Sequence, residues 1–272
     1  MNKRTIMLAA IVLAFFSLVF TACSDTKKAE SNATNTTEQK GNAKGGLMVL
    51  AIGSDPASVN PLYANDRVSL TIAHVLYDPL YTVKNGEIIY NGLAEKLEHS
   101  SDFLKYTLTF RKDITWHDGK PLTAADMMYT ISVIMDEKQN TKGRSVFVFD
   151  DKTAKYTQVD DYTIEFVLPE VNMSFVQNLA DIKPIPKHIY EGQAYIAESP
   201  NNTKPIGNGS FKFKEQKSGE LYQVERNSNY YRDVALLDGI VYRVIPDSNA
   251  VGIALENGEI TASYIKANQV ER

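Results

Sequence analysis

Residues 106–126 read Tyr-Thr-Leu-Thr-Phe-Arg-Lys-Asp-Ile-Thr-Trp-His-Asp-Gly-Lys-Pro-Leu-Thr-Ala-Ala-Asp. Leu104, Tyr106, Leu108 and Phe110 alternate with polar residues, which predicts a strand with one buried face. Asp118-Gly119 is a tight-turn pair. Thr123, with Asp126 three residues on, resembles a capping box and starts a helix. That helix is expected to run to about Asp136 through Met127, Met128, Ile131 and Ile134. Trp116, the sole tryptophan, lies between strand and helix and is expected to anchor the core.

The same reading extends outward. Upstream, Leu47 to Ile52 is a short apolar run closed by Gly53-Ser54-Asp55-Pro56, a buried strand followed by a turn. Residues 66–78 carry Val68, Ile72, Val75 and Leu76 at helical spacing, and Pro79 ends that helix. Leu80 to Lys84 and Glu87 to Tyr90 flank Asn85-Gly86, a strong hairpin signal. Downstream, strands are predicted at Tyr162 to Leu168, Phe211 to Lys214, Tyr222 to Arg226, Ile240 to Ile245 and Glu259 to Tyr264. Short helices are predicted at Asn172 to Leu179 and from Asp247 or Ser248 to Asn257-Gly258. Strands and helices mix without strict alternation, so the fold class is α/β (mixed α+β).

The N-terminus is organised differently. Lys3 and Arg4 precede an apolar run from Ile6 to Phe20, and Thr21, Ala22 and Cys23 close it with small residues. This is a secretory leader layout, and the run is short for a membrane span. Residues 1–22 are expected to be a signal peptide. Cys23, the only cysteine, has no disulfide partner in the chain. Residues 24–46 contain no large apolar side chain and are expected to form, with Cys23, a flexible tether over residues 23–46. The 272 residues, 43% hydrophobic and 23% charged, suffice for a sizeable core. Lys and Arg total 29 against 33 Asp and Glu, a formal charge of −4 that argues against a nucleic-acid partner.

A search for chemistry finds none. There is no Gly-x-x-x-x-Gly-Lys loop, and Gly207-Asn208-Gly209-Ser210 lacks the spacing of a nucleophile elbow. His74, His99, His117 and His188 are too far apart in sequence for a helical metal pair. Adjacent His117 and Asp118 in a turn do not suit triad geometry. With no nucleophile–base pair, the chain reads as a non-enzyme, and no catalytic residue, metal ligand or cofactor is expected.

Three stretches carry a family resemblance. Residues 106–126, with Trp116-His-Asp-Gly and Thr123-Ala-Ala-Asp, resemble the signature of the extracellular solute-binding proteins of the peptide/nickel type, family 5. Pro205-Ile-Gly-Asn-Gly-Ser-Phe-Lys-Phe213 and Glu225-Arg-Asn-Ser-Asn-Tyr-Tyr231 resemble that family's Gly-rich strand and Arg-Asn-x-x-Tyr segment. Leu237-Asp-Gly-Ile-Val-Tyr242, Pro246-Asp247 and Asn257-Gly-Glu-Ile260 resemble a third. Asn60, Ser210 and Thr261 depart from the residues common there. Phe20-Thr-Ala-Cys23 is similar to a bacterial lipobox, with Phe20 where Leu is usual.

The resemblance implies a lobe of the type II periplasmic-binding-protein kind, assembled from about 47–80 and 183–272, with a small domain inserted at about 81–182. It implies a second lobe that residues 47–272 do not supply. It implies the substrate-binding component of an ABC importer, exported and lipid-anchored through Cys23 to the outer face of the membrane. Such a component captures oligopeptides or dipeptides and delivers them to membrane permease subunits. Candidate ligand contacts carried over from the family are Asn65, Asp66, Arg67 and Tyr264. A nickel chelate, haem or another small solute remains an alternative ligand, and a non-binding truncated remnant an alternative role.

Overall fold

The computed structural model describes residues 44–263. Cys23, the leader, residues 23–43 of the tether and Tyr264 lie outside the described residues.

Strand β1 (Leu47–Ile52) occupies the first apolar run. Helix α1 (Arg67–Leu76) starts where the Asp66 carboxylate accepts the Ser69 N–H at 2.9 Å, and it buries Ser69, Ile72, Ala73 and Leu76 at three- and four-residue spacing. It stops before Pro79, which lacks an N–H and disfavours helix in the residue before it. Strands β2 (Thr82–Lys84) and β3 (Glu87–Ile89) form the expected hairpin. Asn85 and Gly86 both have positive φ, 55° and 83°, as a type I′ turn requires.

Strand β4 (Ala94–His99) pairs with β5 (Lys105–Phe110), whose Tyr106, Leu108 and Phe110 face the core as their alternation predicts. Helix α2 (Ala124–Met135) is capped where Asp126 Oδ2 accepts the Thr123 N–H at 2.9 Å. There follow β6 (Val148–Phe149), β7 (Lys152–Thr153), β8 (Lys155–Asp160), β9 (Thr163–Val167), α3 (Phe175–Ala180) and α4 (Lys187–Tyr190). The C-terminal part holds β10 (Phe211–Lys217), β11 (Leu221–Arg226), β12 (Gly239–Val244) and α5 (Ser248–Glu256). Asp247 caps α5 by accepting the Asn249 N–H, and Gly258, with φ of 71°, follows its end.

Two four-stranded sheets result, in the orders β1-β12-β11-β10 and β4-β5-β9-β8. The second is antiparallel throughout. The first is mixed, because β1 runs parallel to β12, with Leu47 opposite Gly239 and Ile52 opposite Val244. A parallel pair needs a long crossover. Here the crossover contains the whole second sheet, α1 to α4, and β10 and β11. One buried cluster, including Trp116, Tyr77, Phe110, Phe166 and Tyr222, runs through both sheets. A small second cluster of Val251, Ala254 and Ile260 packs on Val49 and Ala51.

The strand expected at Glu259 to Tyr264 is corrected. Of residues 259–263 only Ala262 forms a bridge, parallel to Leu50. The Thr261 hydroxyl accepts the Val49 N–H at 2.8 Å and lies 3.0 Å from the Val49 carbonyl. The side chain thereby takes the Val49 N–H that a longer ladder would use, while the Val49 carbonyl still accepts the Thr261 N–H at 2.8 Å.

Candidate functional site

The stretches that carry the family resemblance converge on one junction. Gly207, Asn208 and Gly209 cross the C-terminal end of α1, where the Asn208 and Gly209 N–H groups donate to Leu76 O at 3.0 and 2.9 Å. A Cβ on Gly207 would lie 2.0 Å from Leu76 O, and one on Gly209 2.4 Å from Val75 O, so only glycine permits this approach. His117 Nδ1 accepts the Gly207 N–H, which leaves the proton on Nε2 to donate to Gly209 O at 3.1 Å. Burial pushes the imidazole pKa down to about 4. Asn227 Nδ2 also donates to Gly209 O, at 3.0 Å.

Asn208 Oδ1 accepts the Asp78 N–H at 2.8 Å, and Asp78 Oδ2 accepts the hydroxyls of Tyr230 and Tyr231 at 2.6 and 2.7 Å. Burial pushes the Asp78 carboxyl above its ordinary value, against the opposing pull of the two hydroxyls, Lys183 and Arg232. Asp118 turns away from His117, and its Oδ2 lies 2.7 Å from His188 Nε2. Most of the polar groups of this junction are committed to the protein itself, the buried Asn208 Nδ2 being an exception without a hydrogen-bond partner. It positions elements of the fold.

A cleft lies elsewhere, and the parallel pair explains where. The carboxyl ends of β1 and β12 leave the sheet on the same side, and in open sheets of this kind ligands bind beyond such ends. A cavity of about 500 Å³ opens there, lined by Ile52 at the end of β1, by Gly53 after it, and by Ile245 and Pro246 after β12. Leu50, Tyr242 and Val251 make its walls apolar, and Arg67, Thr71, Ser248 and Ser263 supply polar groups. Apolar walls with few polar groups suit a small-molecule or peptide ligand.

Of the residues expected to contact ligand, Arg67 lines this cleft from the first position of α1. Asn65 is exposed on the preceding loop and outside the lining. Asp66 Oδ1 is committed to the cap. Burial pushes its carboxyl up, but hydrogen bonds from Ser69 and the Val68 N–H outweigh this and hold it below the usual range. Tyr264 lies outside the described residues, directly after Ala262 and Ser263 of the cleft wall. The loop itself is fixed by buried Asn60, whose carbonyl accepts the Tyr63 and Ala64 N–H groups at 3.0 and 2.8 Å. Thr71, Ser248 and Ile245 escaped sequence reasoning, since only the β1–β12 pairing brings them together. Among the described residues no group of three or more His, Cys, Asp or Glu could hold a metal. No helix there is long and apolar enough to cross a membrane.

Known proteins share this arrangement. The oligopeptide-binding protein AppA of Bacillus subtilis (strain 168) is 33% identical over 271 residues, 98% of this chain and 49% of its own. The ABC transporter substrate binding protein CtaP of Listeria monocytogenes matches with a TM-score of 0.78 at 43% identity, over 84% of this chain and 47% of its own. The oligopeptide-binding protein AppA of B. subtilis, solved with a nonapeptide, matches at 0.76 and 32% identity, over 84% of this chain and 45% of its own. The chain thus spans about half the length of the relatives it matches. The model for bacterial extracellular solute-binding proteins, family 5 Middle, matches residues 89–272. That match takes in most of the chain, including His117 and Gly207 to Gly209 of the junction, and the chain belongs to this family of extracellular solute-binding proteins.

Proposed function

We propose that this chain is the substrate-binding part of an ABC importer that captures extracellular peptides and hands them to membrane permease subunits. The observation that carries the proposal is the cleft at the carboxyl ends of β1 and β12, with Arg67 on its wall. A cationic group beside apolar walls suits a peptide, which carries carboxylates and side chains of many sizes. The relatives named as oligopeptide-binding support the same reading. The role is binding and not catalysis.

In this proposal residues 47–80 and 183–272 form lobe one and residues 81–182 the inserted small domain, which agrees with the two separate sheets. Lipid on Cys23 holds the chain at the outer face of the membrane, with residues 24–46 as spacer. A peptide held by one lobe stays wet on its other side. Hydrogen bonds there contribute about 0.5–1.5 kcal/mol net each, which does not offset the several kcal/mol lost on immobilising a flexible peptide. Residues 24–272 on their own therefore bind peptide no more tightly than about millimolar.

Calorimetric titration of the 272-residue chain with a mixed tripeptide library tests the proposal, with Arg67→Ala and nickel–histidine as comparisons. Weak saturable heat with peptide, reduced in Arg67→Ala and absent with nickel–histidine, is expected. Saturation by nickel–histidine and none by peptide would overturn it.

A further inference from the structure

A second, polar pocket of about 300 Å³ lies behind the loop that carries Asn65 to Arg67, lined by Pro61, Lys142, Ser145, Asn178, Asp181 and Lys183 among others. Two ammonium groups share it. Lys142 Nζ donates to Ala64 O, and Lys183 Nζ donates to Tyr77 O at 2.7 Å. Each ammonium has three N–H donors, so each keeps two beyond these carbonyl bonds. Among the described residues neither lysine has a carboxylate within ion-pair distance, although Asp181 lines the same pocket. Burial pulls the Lys183 pKa down to about 8. Asp78 and Asp181 hold it up, and Lys142 pushes it further down. Burial likewise lowers Lys142.

We propose that this pocket binds a small carboxylate monoanion between Lys142 and Lys183. The charge of the lining favours a monoanion. Its two lysines face one lining carboxylate, Asp181, which leaves one positive charge, and Asp78 beyond the lining also acts on Lys183, so a dianion would exceed what the pocket offers. The ammoniums bring donors that carbonyl oxygens alone do not saturate, and charge-assisted hydrogen bonds are the stronger class. Ser145 and Asn178 add neutral donors on the same wall. The pocket is separate from the Arg67 cleft and does not depend on what occupies that cleft.

Thermal unfolding in sodium acetate, against sodium chloride of equal ionic strength, tests this. Acetate is expected to raise Tm with half-saturation in the millimolar range. Lys183→Met and Lys142→Met are each expected to weaken that dependence at least ten-fold. In the unaltered chain the acetate effect should weaken between pH 7 and pH 10, as Lys183 loses its proton, whether or not either variant folds. An acetate effect equal in folded variants, unchanged at pH 10, or absent throughout would overturn the proposal. Inorganic phosphate, a dianion at pH 7.5, binding more tightly than acetate would also overturn it.

Discussion

His117 Nδ1 accepts the Gly207 N–H at 3.0 Å, across 90 residues of sequence. With Nε2 donating to Gly209 O, both ring nitrogens are used by the neutral imidazole, and protonation at Nδ1 would break the first bond. Burial holds the folded pKa at about 4, against 6.5 for a free histidine. Between those values the unfolded chain binds a proton that the folded chain does not. This contribution to stability is therefore complete above pH 6.5 and is lost as pH falls towards 4, by about 3 kcal/mol in all. Urea unfolding followed from pH 7 to pH 4 should show this loss, and His117→Gln should flatten it. A His117 NMR signal titrating near pH 6.5 would contradict the assignment.

The crossing at Gly207 predicts a severe steric effect. Gly207→Ala places a methyl 2.0 Å from Leu76 O and should cost about 3 kcal/mol or more. Gly53 has open space around its Cβ position and no positive φ, so Gly53→Ala should change stability by no more than about 0.5 kcal/mol. Chemical denaturation of both variants checks the contrast. Equal effects would mean that the crossing is not as close as described.

Trp116 is 1% exposed within the main core cluster. Trp116→Ala should destabilise by about 3–5 kcal/mol, enough to unfold a marginal domain. Circular dichroism is the appropriate probe, since the variant removes the only tryptophan. A loss below about 1 kcal/mol would place the indole outside the load of the core.

The elements legible in the sequence were those with local signals. Thr123 and Asp247 mark helix starts, Asn85-Gly86 marks a hairpin, and the alternation in β5 marks its buried face. β4 was not legible because it buries only Ala94 and Leu97 and carries an irregularity between Ala94 and Lys96. β8 was not legible because it is an edge strand with only Tyr156 half-buried. Its ladder comes from β9, so its own sequence needs no apolar face. The same distinction governs the site. Arg67 was expected and lines the cleft, while Asp66, expected beside it, caps α1. A sequence does not separate a capping aspartate from a ligand-facing one. Ile245 and Ser248 meet Ile52 and Arg67 only through a parallel pairing of strands that are far apart in sequence.

The central claim is that peptide enters at the carboxyl ends of β1 and β12. Titrating the ¹⁵N-labelled 272-residue chain with a tripeptide mixture, and following amide shifts residue by residue, tests it most directly. The account predicts millimolar, saturable shifts clustered at Ile52, Gly53, Arg67, Thr71, Ile245 and Ser248, with the Gly207 junction unmoved. Micromolar saturation, or shifts confined to residues away from that cleft, would contradict it.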